Sequence, residues 1–130
     1  MKISTAARNA MVDAFTALVD AGSNVYIRTG AAPANPSDSD SGTLLATLAM
    51  ASTAFGAASS GIATAGAITD ESNAPNSGTM GHYRIKDSGA AVVCQGDVGL
   101  SGADINFDSV TVTAGGVVAI DSLTVTQPAE

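Results

Sequence analysis

The chain has 130 residues, a net charge of −7 and only five lysine and arginine residues. Its length fits a single domain with one hydrophobic core. So few cations argue against binding to nucleic-acid phosphates, and the negative charge disfavours an anionic membrane surface. Hydrophobic residues make up 45% of the chain and aromatic residues only 4%. Because many of the apolar residues are alanines, which bury little area, we expect a thin core that gains stability from partner subunits.

The sequence shows no targeting segment and contains a single cysteine. Residues 1–5 contain no apolar segment, so we expect no signal peptide, and no apolar stretch is long enough to form a transmembrane helix. Cys94 is the single cysteine, which excludes an internal disulfide. We expect its side chain to be a small buried apolar group and the chain to be made in a cytosol-like compartment.

Residues 4–21 are predicted to form the one helix. Ser4 or Thr5 can cap its start, and Gly22 stands where a helix-ending glycine belongs. Helical spacing places the predicted polar stripe on Asn9, Asp13, Thr16 and Asp20, and the predicted apolar stripe on Ala7, Met11, Ala14, Leu18 and Ala21, widened by Val12, Phe15 and Val19. Such a broad apolar arc must pack on the chain's own sheet or on a neighbouring subunit.

The rest of the chain alternates between apolar and polar residues in short segments separated by glycine-rich turns, as is typical of half-buried antiparallel strands. The predicted strands span residues 24–29, 43–49, 62–68, 80–87, 90–98, 104–107, 109–113 and 117–126. The leucines of residues 43–49 would also suit a short helix. The prediction is a mainly β domain covering residues 1–130. It consists of the helix followed, over residues 24–126, by an antiparallel β-sandwich or jelly roll of about eight strands.

The main core is predicted from the inward positions of the later strands: Ile85, Val92, Val110, Val112, Val118, Ile120, Leu123 and Val125. Around Asp121 and Ser122 the apolar residues shift from even to odd positions. This shift predicts a bulge or a bend at which the chain changes sheet. Residues 30–42, which contain Pro33 and Pro36, are predicted to form a loop. That loop is either a contact arm or a mobile surface segment.

Side chains with reactive chemistry are few. His82 and Cys94 lie on neighbouring predicted strands, but no third residue and no nucleophile elbow accompany them. We expect His82 to be exposed on the polar face of its strand.

Asp104, Asn106 and Asp108 resemble the start of a calcium loop. However, Ser109 and Gly115 occupy the places where an EF-hand needs glycine and glutamate. We expect these side chains to form a solvated strand face. The sequence thus predicts no catalytic residue, no cofactor and no metal site.

Several short phrases carry a resemblance to a known group of proteins. They are residues 4–13 (STAARNAMVD), 42–48 (GTLLATL), 54–58 (AFGAA) and 102–107 (GADINF). With the alanine-rich helix, they resemble small virion structural proteins of tailed bacteriophages. Within that group the chain looks most like the jelly-roll capsid cement, or decoration, proteins of short-tailed phages.

The resemblance implies a non-enzymatic protein of the capsid surface, made in the host cytoplasm. It would bind the major capsid protein on the outer face of the shell, as a homodimer or trimer. Alternatives are a tail, collar or fibre-attachment protein, or a small carbohydrate-binding jelly-roll module. The expected partner interface combines the helix face and the loop: Met11, Phe15, Leu18, Pro33 and Pro36.

Overall fold

The computed structural model describes residues 1–19 and 21–129, which contain one helix and eight strands. The helix, α1, spans Thr5–Thr16. The strands are β1 (Asn24–Thr29), β2 (Leu44–Ala49), β3 (Ile62–Thr64), β4 (Gly78–Lys86), β5 (Val92–Gly99), β6 (Ile105–Asn106), β7 (Thr111–Val112) and β8 (Thr124–Thr126). The mainly β class with one helix is confirmed. Residues 44–49 are a strand and not the alternative helix.

The strands form a six-stranded sheet and a two-stranded sheet. The larger sheet has the order β2-β1-β4-β5-β6, and β7 pairs with the beginning of β4. The smaller sheet is the antiparallel pair β3-β8. The expectation of purely antiparallel strands is wrong at one place, because β5 and β6 run parallel. The five residues between them, 100–104, return the chain to the same edge of the sheet in the same direction.

The core is centred on β1, where alternate side chains are fully buried. Val25 lies between Leu48 of β2 and Ile85 of β4, and Ile27 lies between Ala46 and Tyr83. Val25, Ile27 and Leu48 are each 0% exposed. A strand with paired neighbours on both sides and a covered face has little access to water, so these short apolar side chains suffice to form the centre of the core.

The core predicted from the later strands is correct in part. Ile85, Val112, Val118 and Ile120 are buried. The remaining members are only partly buried: Val92, Val110, Leu123 and Val125. The prediction placed the main core too late in the chain, because β1 and β2 supply its most deeply buried residues.

The final segment is not one continuous strand. Val118 exchanges backbone hydrogen bonds with Glu71, whereas β8 pairs with β3 in the smaller sheet. Residues between these two pairings, including Asp121 and Ser122, belong to no strand. The interruption predicted from the shifted apolar pattern is therefore present.

The helix is shorter than the predicted span of residues 4–21. Its start is as expected, since the Ser4 hydroxyl accepts a hydrogen bond from the Ala7 backbone N–H at 3.2 Å. It ends at Thr16 because Leu18 and Val19 donate their backbone N–H groups to carbonyls three residues earlier, which tightens the chain into a turn. Gly22 has a positive φ of 92°, but it lies beyond this turn and does not end the helix.

The buried face of α1 agrees with the prediction only in part, because Val12 and Val19 of the predicted apolar arc are buried but the stripe at its centre is not. The buried side chains are Val12, Thr16 and, just beyond the helix, Val19. The predicted apolar stripe of Ala7, Met11, Ala14, Leu18 and Ala21 is exposed instead. Of the predicted polar stripe, Asp20 lies outside the described residues.

Polar contacts explain this orientation. The Asn9 side-chain carbonyl accepts a hydrogen bond from the Gly61 backbone N–H, and the Asp13 carboxylate accepts one from the Ala58 N–H, each at 2.7 Å. The Arg8 guanidinium donates to the Ser60 carbonyl at 3.0 Å. These bonds satisfy backbone groups of the segment that leads into β3. Asn9, Asp13 and Thr16 of the predicted polar stripe thus share with Val12 the side of the helix that docks on the domain.

Candidate functional site

Residues 30–42, called here the covering loop, lie over the polar face of the large sheet. Arg84 of β4 is the centre of this contact and its side chain is only 1% exposed. Its guanidinium donates to the Pro36 carbonyl at 2.8 Å and to the Asp38 carbonyl at 2.9 Å. From the neighbouring strand, Gln95 donates to the Pro33 carbonyl at 2.6 Å. The loop is therefore fixed to its own sheet and is not an extended contact arm.

Asp40 connects the loop to three of the five basic residues. Its carboxylate lies 2.6 Å from Arg84 Nη1, 2.7 Å from Lys86 Nζ and 3.1 Å from Arg28 Nη2. These neighbours lower the pKa of Asp40 from 3.8 to about 2. The Lys86 hydrogen bond is the largest cause, partial burial opposes it, and Arg84 and Arg28 contribute further. Lys86 also lies over the Tyr26 ring, 5.3 Å from its centre.

His82 is buried under the start of the covering loop, so the expectation that it is exposed is wrong. Its side chain is 0% exposed, and its Nδ1 lies 2.9 Å from the Gly30 carbonyl oxygen. Because a carbonyl oxygen only accepts, Nδ1 carries the proton in this contact. Gly81 makes the close approach possible, since a Cβ at that position would overlap the Gly30 backbone. The alternation correctly predicted the strand face of His82 but not the loop that covers it.

Cys94 is half-buried on the opposite, core side of the sheet. Burial raises the pKa of its thiol to about 11, while a hydrogen bond with Tyr83 acts against that rise. The same burial raises the pKa of Tyr83, with the neighbouring Cys94 and Asp104 adding to the effect. A thiol that stays protonated at neutral pH is a poor nucleophile. His82 and Cys94 lie on opposite faces of the sheet and do not form a pair.

The residues of the suspected calcium loop are all exposed, in agreement with a solvated surface. Asn106 accepts a hydrogen bond from the Ala103 backbone N–H at 3.1 Å, and the Asp104 N–H donates to Asp97 at 3.0 Å. Within residues 1–19 and 21–129, no three His, Cys, Asp or Glu side chains come close enough together to hold a metal ion. The same described part of the chain contains no helix that is long and apolar enough to cross a bilayer.

The expected interface residues fall into two separate groups. Met11 and Leu18 are 51% and 60% exposed, and Phe15 between them is half-buried. These three residues are called here the outer face of α1, although Leu18 lies in the turn just after the helix. Pro33 and Pro36 belong to the covering loop on the other side of the sheet, where their carbonyls bind Gln95 and Arg84. The structure therefore does not join the helix and the loop into one surface.

The residues that sequence reasoning missed are Arg84 and Asp40. One feature could have indicated them. Cationic side chains alternate along β4 in an otherwise acidic chain, and an aspartate-rich loop of opposite charge lies earlier in the sequence. The hydrogen-bonding groups of Arg84 and Asp40 all have partners within the chain. These two residues therefore have a structural role. Met11 and Leu18 on the outer face of α1 are among the large apolar side chains that remain exposed.

Comparison of the chain with protein-family models, with curated proteins and with solved structures gives no match.

Proposed function

We propose that this chain is a capsid decoration protein of a tailed bacteriophage, bound to the outer face of the major capsid protein shell. The observation that carries the proposal is the outer face of α1. Met11 and Leu18 leave more than half of their surfaces in water, and Phe15 lies between them at helical spacing. Contiguous exposed apolar side chains on a small domain mark a protein-binding surface.

The chemistry of the remaining side chains supports a structural role. His82 and Arg84 are buried and hold the covering loop, and the Cys94 thiol is protonated at neutral pH because burial raises its pKa. The groups most capable of catalysis are thus engaged in maintaining the fold. The assignment to a phage particle is supported by the short sequence segments that resemble small phage virion proteins.

We further propose that the fold is a β-sandwich of the jelly-roll type, in which the six-stranded and two-stranded sheets are the two layers. It also includes self-association as a dimer or trimer on the shell. A thin core suits such a protein, because binding to the folded form alone raises its stability.

The direct test is to measure occupancy on shells that lack this protein, by cryo-electron microscopy and by gel stoichiometry. The wild-type chain should bind in the many copies that a shell lattice offers. Leu18→Asp should bind about tenfold or more weakly, since burying one leucine contributes ~1.5–3 kcal/mol. Its own melting temperature should change little, because exposed substitutions shift stability by about 0.5 kcal/mol or less.

Val117→Asp is the matched control, since Val117 is 67% exposed and lies away from the helix. It should leave occupancy unchanged. Copies found only in the tail, or equal occupancy for Leu18→Asp and wild type, would refute the assignment to the shell through this face.

A further inference from the structure

An incompletely filled space separates the large sheet from the elements that cover its core side. Phe15 of α1 and the segment 123–126 form one wall, while Tyr83, Ile85 and Cys94 form the other. The cavity measures about 320 Å³, at the lower end of the ~300–1,000 Å³ that ligand pockets occupy. Phe15 lines this cavity and also lies between Met11 and Leu18 on the outer face of α1, so the cavity adjoins that face.

One end of the cavity is acidic. The Asp104 carboxylate lies directly over Gly96, where a Cβ would overlap its Oδ2 atom. The negative charge of Asp104 acts on the cavity wall, because it contributes to the raised pKa values of both Tyr83 and Cys94. The ion pairs resolved among the described residues all converge on Asp40. Among residues 1–19 and 21–129, no ion pair involves the Asp104 carboxylate, which lines the cavity beside Tyr83 and Cys94.

The charge of the whole chain restricts what can fill this space. The net charge is −7, and three of its five cations are held by Asp40. A fourth, Arg8, donates to Ser60 and Thr5 within its own domain. A second copy of this acidic chain would therefore bring mainly like charge towards Asp104. A partner with a basic surface would bring the opposite charge.

We propose that the cavity binds a lysine or arginine side chain presented by a partner protein. The aliphatic stem of such a side chain packs between Phe15 and Ile85, and its charged head reaches Asp104. The partner identity rests on the proposed function, in which the basic side chain belongs to the shell protein. The chemistry of the cavity stands on the lining residues and on Asp104 alone.

Two small probes of equal length and opposite charge test this chemistry: hexylammonium and hexanoate. Each is titrated into the ¹⁵N-labelled full chain while the amide signals are followed. Hexylammonium should shift the signals of Phe15, Cys94 and Val125 in a saturable way, and hexanoate should not. Asp104→Asn should weaken hexylammonium binding about two- to fivefold, since a charge-assisted contact with an exposed carboxylate is lost. Asp70→Asn makes the same charge change at an exposed position outside the cavity and should have no effect.

Three results would overturn the proposal: equal binding of both probes, no saturable shift with either probe, or the same signals shifting with protein concentration alone. The last result would place a second copy in the cavity, and sedimentation would detect it. The contrast between the two probes uses the wild-type chain, so it remains informative if Asp104→Asn does not fold. If the chain binds hexylammonium but does not bind shells, the proposed function is rejected and the site stands. If it binds shells but does not bind hexylammonium, the site is rejected and the proposed function stands.

Discussion

Removing the Arg84 side chain should detach the covering loop and destabilise the domain by about 3 kcal/mol. Loss of one partner from a buried charged pair typically costs ~3–5 kcal/mol. The lower end applies here for two reasons. Asp40 keeps Lys86 and Arg28 as partners, and the loop carbonyls at Pro36 and Asp38 are in exposed residues that can bind water instead. For a domain of this size, the change corresponds to a melting temperature about 12 °C lower.

The variant to measure is Arg84→Met, by urea denaturation and by amide hydrogen exchange. Exchange at residues 31–41 should speed up more than exchange in β1, because the loop loses its anchor while the sheet persists. Arg84→Lys should recover little of the loss, since one ammonium group cannot reproduce the bonds of a planar guanidinium. Arg28→Met is the matched control, because Arg28 also contacts Asp40 but its side chain is 16% exposed. It should cost less than Arg84→Met, because the Arg28 side chain is nearer to solvent and its ion pair with Asp40 is longer, at 3.1 Å against 2.6 Å.

The reasoning would be refuted if Arg84→Met stayed within about 0.5 kcal/mol of the wild type, the range of ordinary surface changes. Unchanged exchange in residues 31–41 would also contradict it, because the loop would then be held by other contacts.

Two further predictions concern the same side of the sheet. Gly81→Ala should destabilise the domain by more than about 2 kcal/mol, because its Cβ would overlap the Gly30 backbone. Gly56→Ala, where the nearest atom would be 3.9 Å from the new Cβ, should be nearly neutral in the same thermal melts. The pKa of Asp40 falls from 3.8 to about 2 on folding, so its stabilising contribution is complete above the higher value and is lost as pH drops towards the lower one. In Asp40→Asn the free energy of unfolding should therefore fall less between about pH 4 and about pH 2 than it does in the wild type. Urea denaturation at several pH values in this range measures the difference, and equal pH dependence in the two proteins would contradict the prediction.

The sequence predicted best where short-range pattern alone determines structure. The alternation of Val25 and Ile27 with polar neighbours defined β1 with the bounds that the structure has. The hydroxyl of Ser4 correctly marked the helix start. The phase shift near Asp121 correctly indicated that the last segment is interrupted. Each of these features depends on residues within a few positions of one another.

The errors arose where distant segments meet. The partners of Asn9 and Asp13 lie 52 and 45 positions further along the chain, so helical periodicity alone could not show that this face points inward. The burial of Arg84 likewise depends on carbonyls that lie 46 and 48 positions earlier. Alternation assigned Arg84 to the correct strand face, but only the path of the loop decides whether that face meets water.

The way in which α1 is attached has a consequence for how this protein can change over evolutionary time. Asn9 and Asp13 position the helix through hydrogen bonds to backbone groups, while Met11 and Leu18 point away from the domain. Substitutions at the two outward positions therefore leave the determinants of folding intact. A lineage can revise the specificity of this surface one residue at a time, without first acquiring compensating mutations in the core.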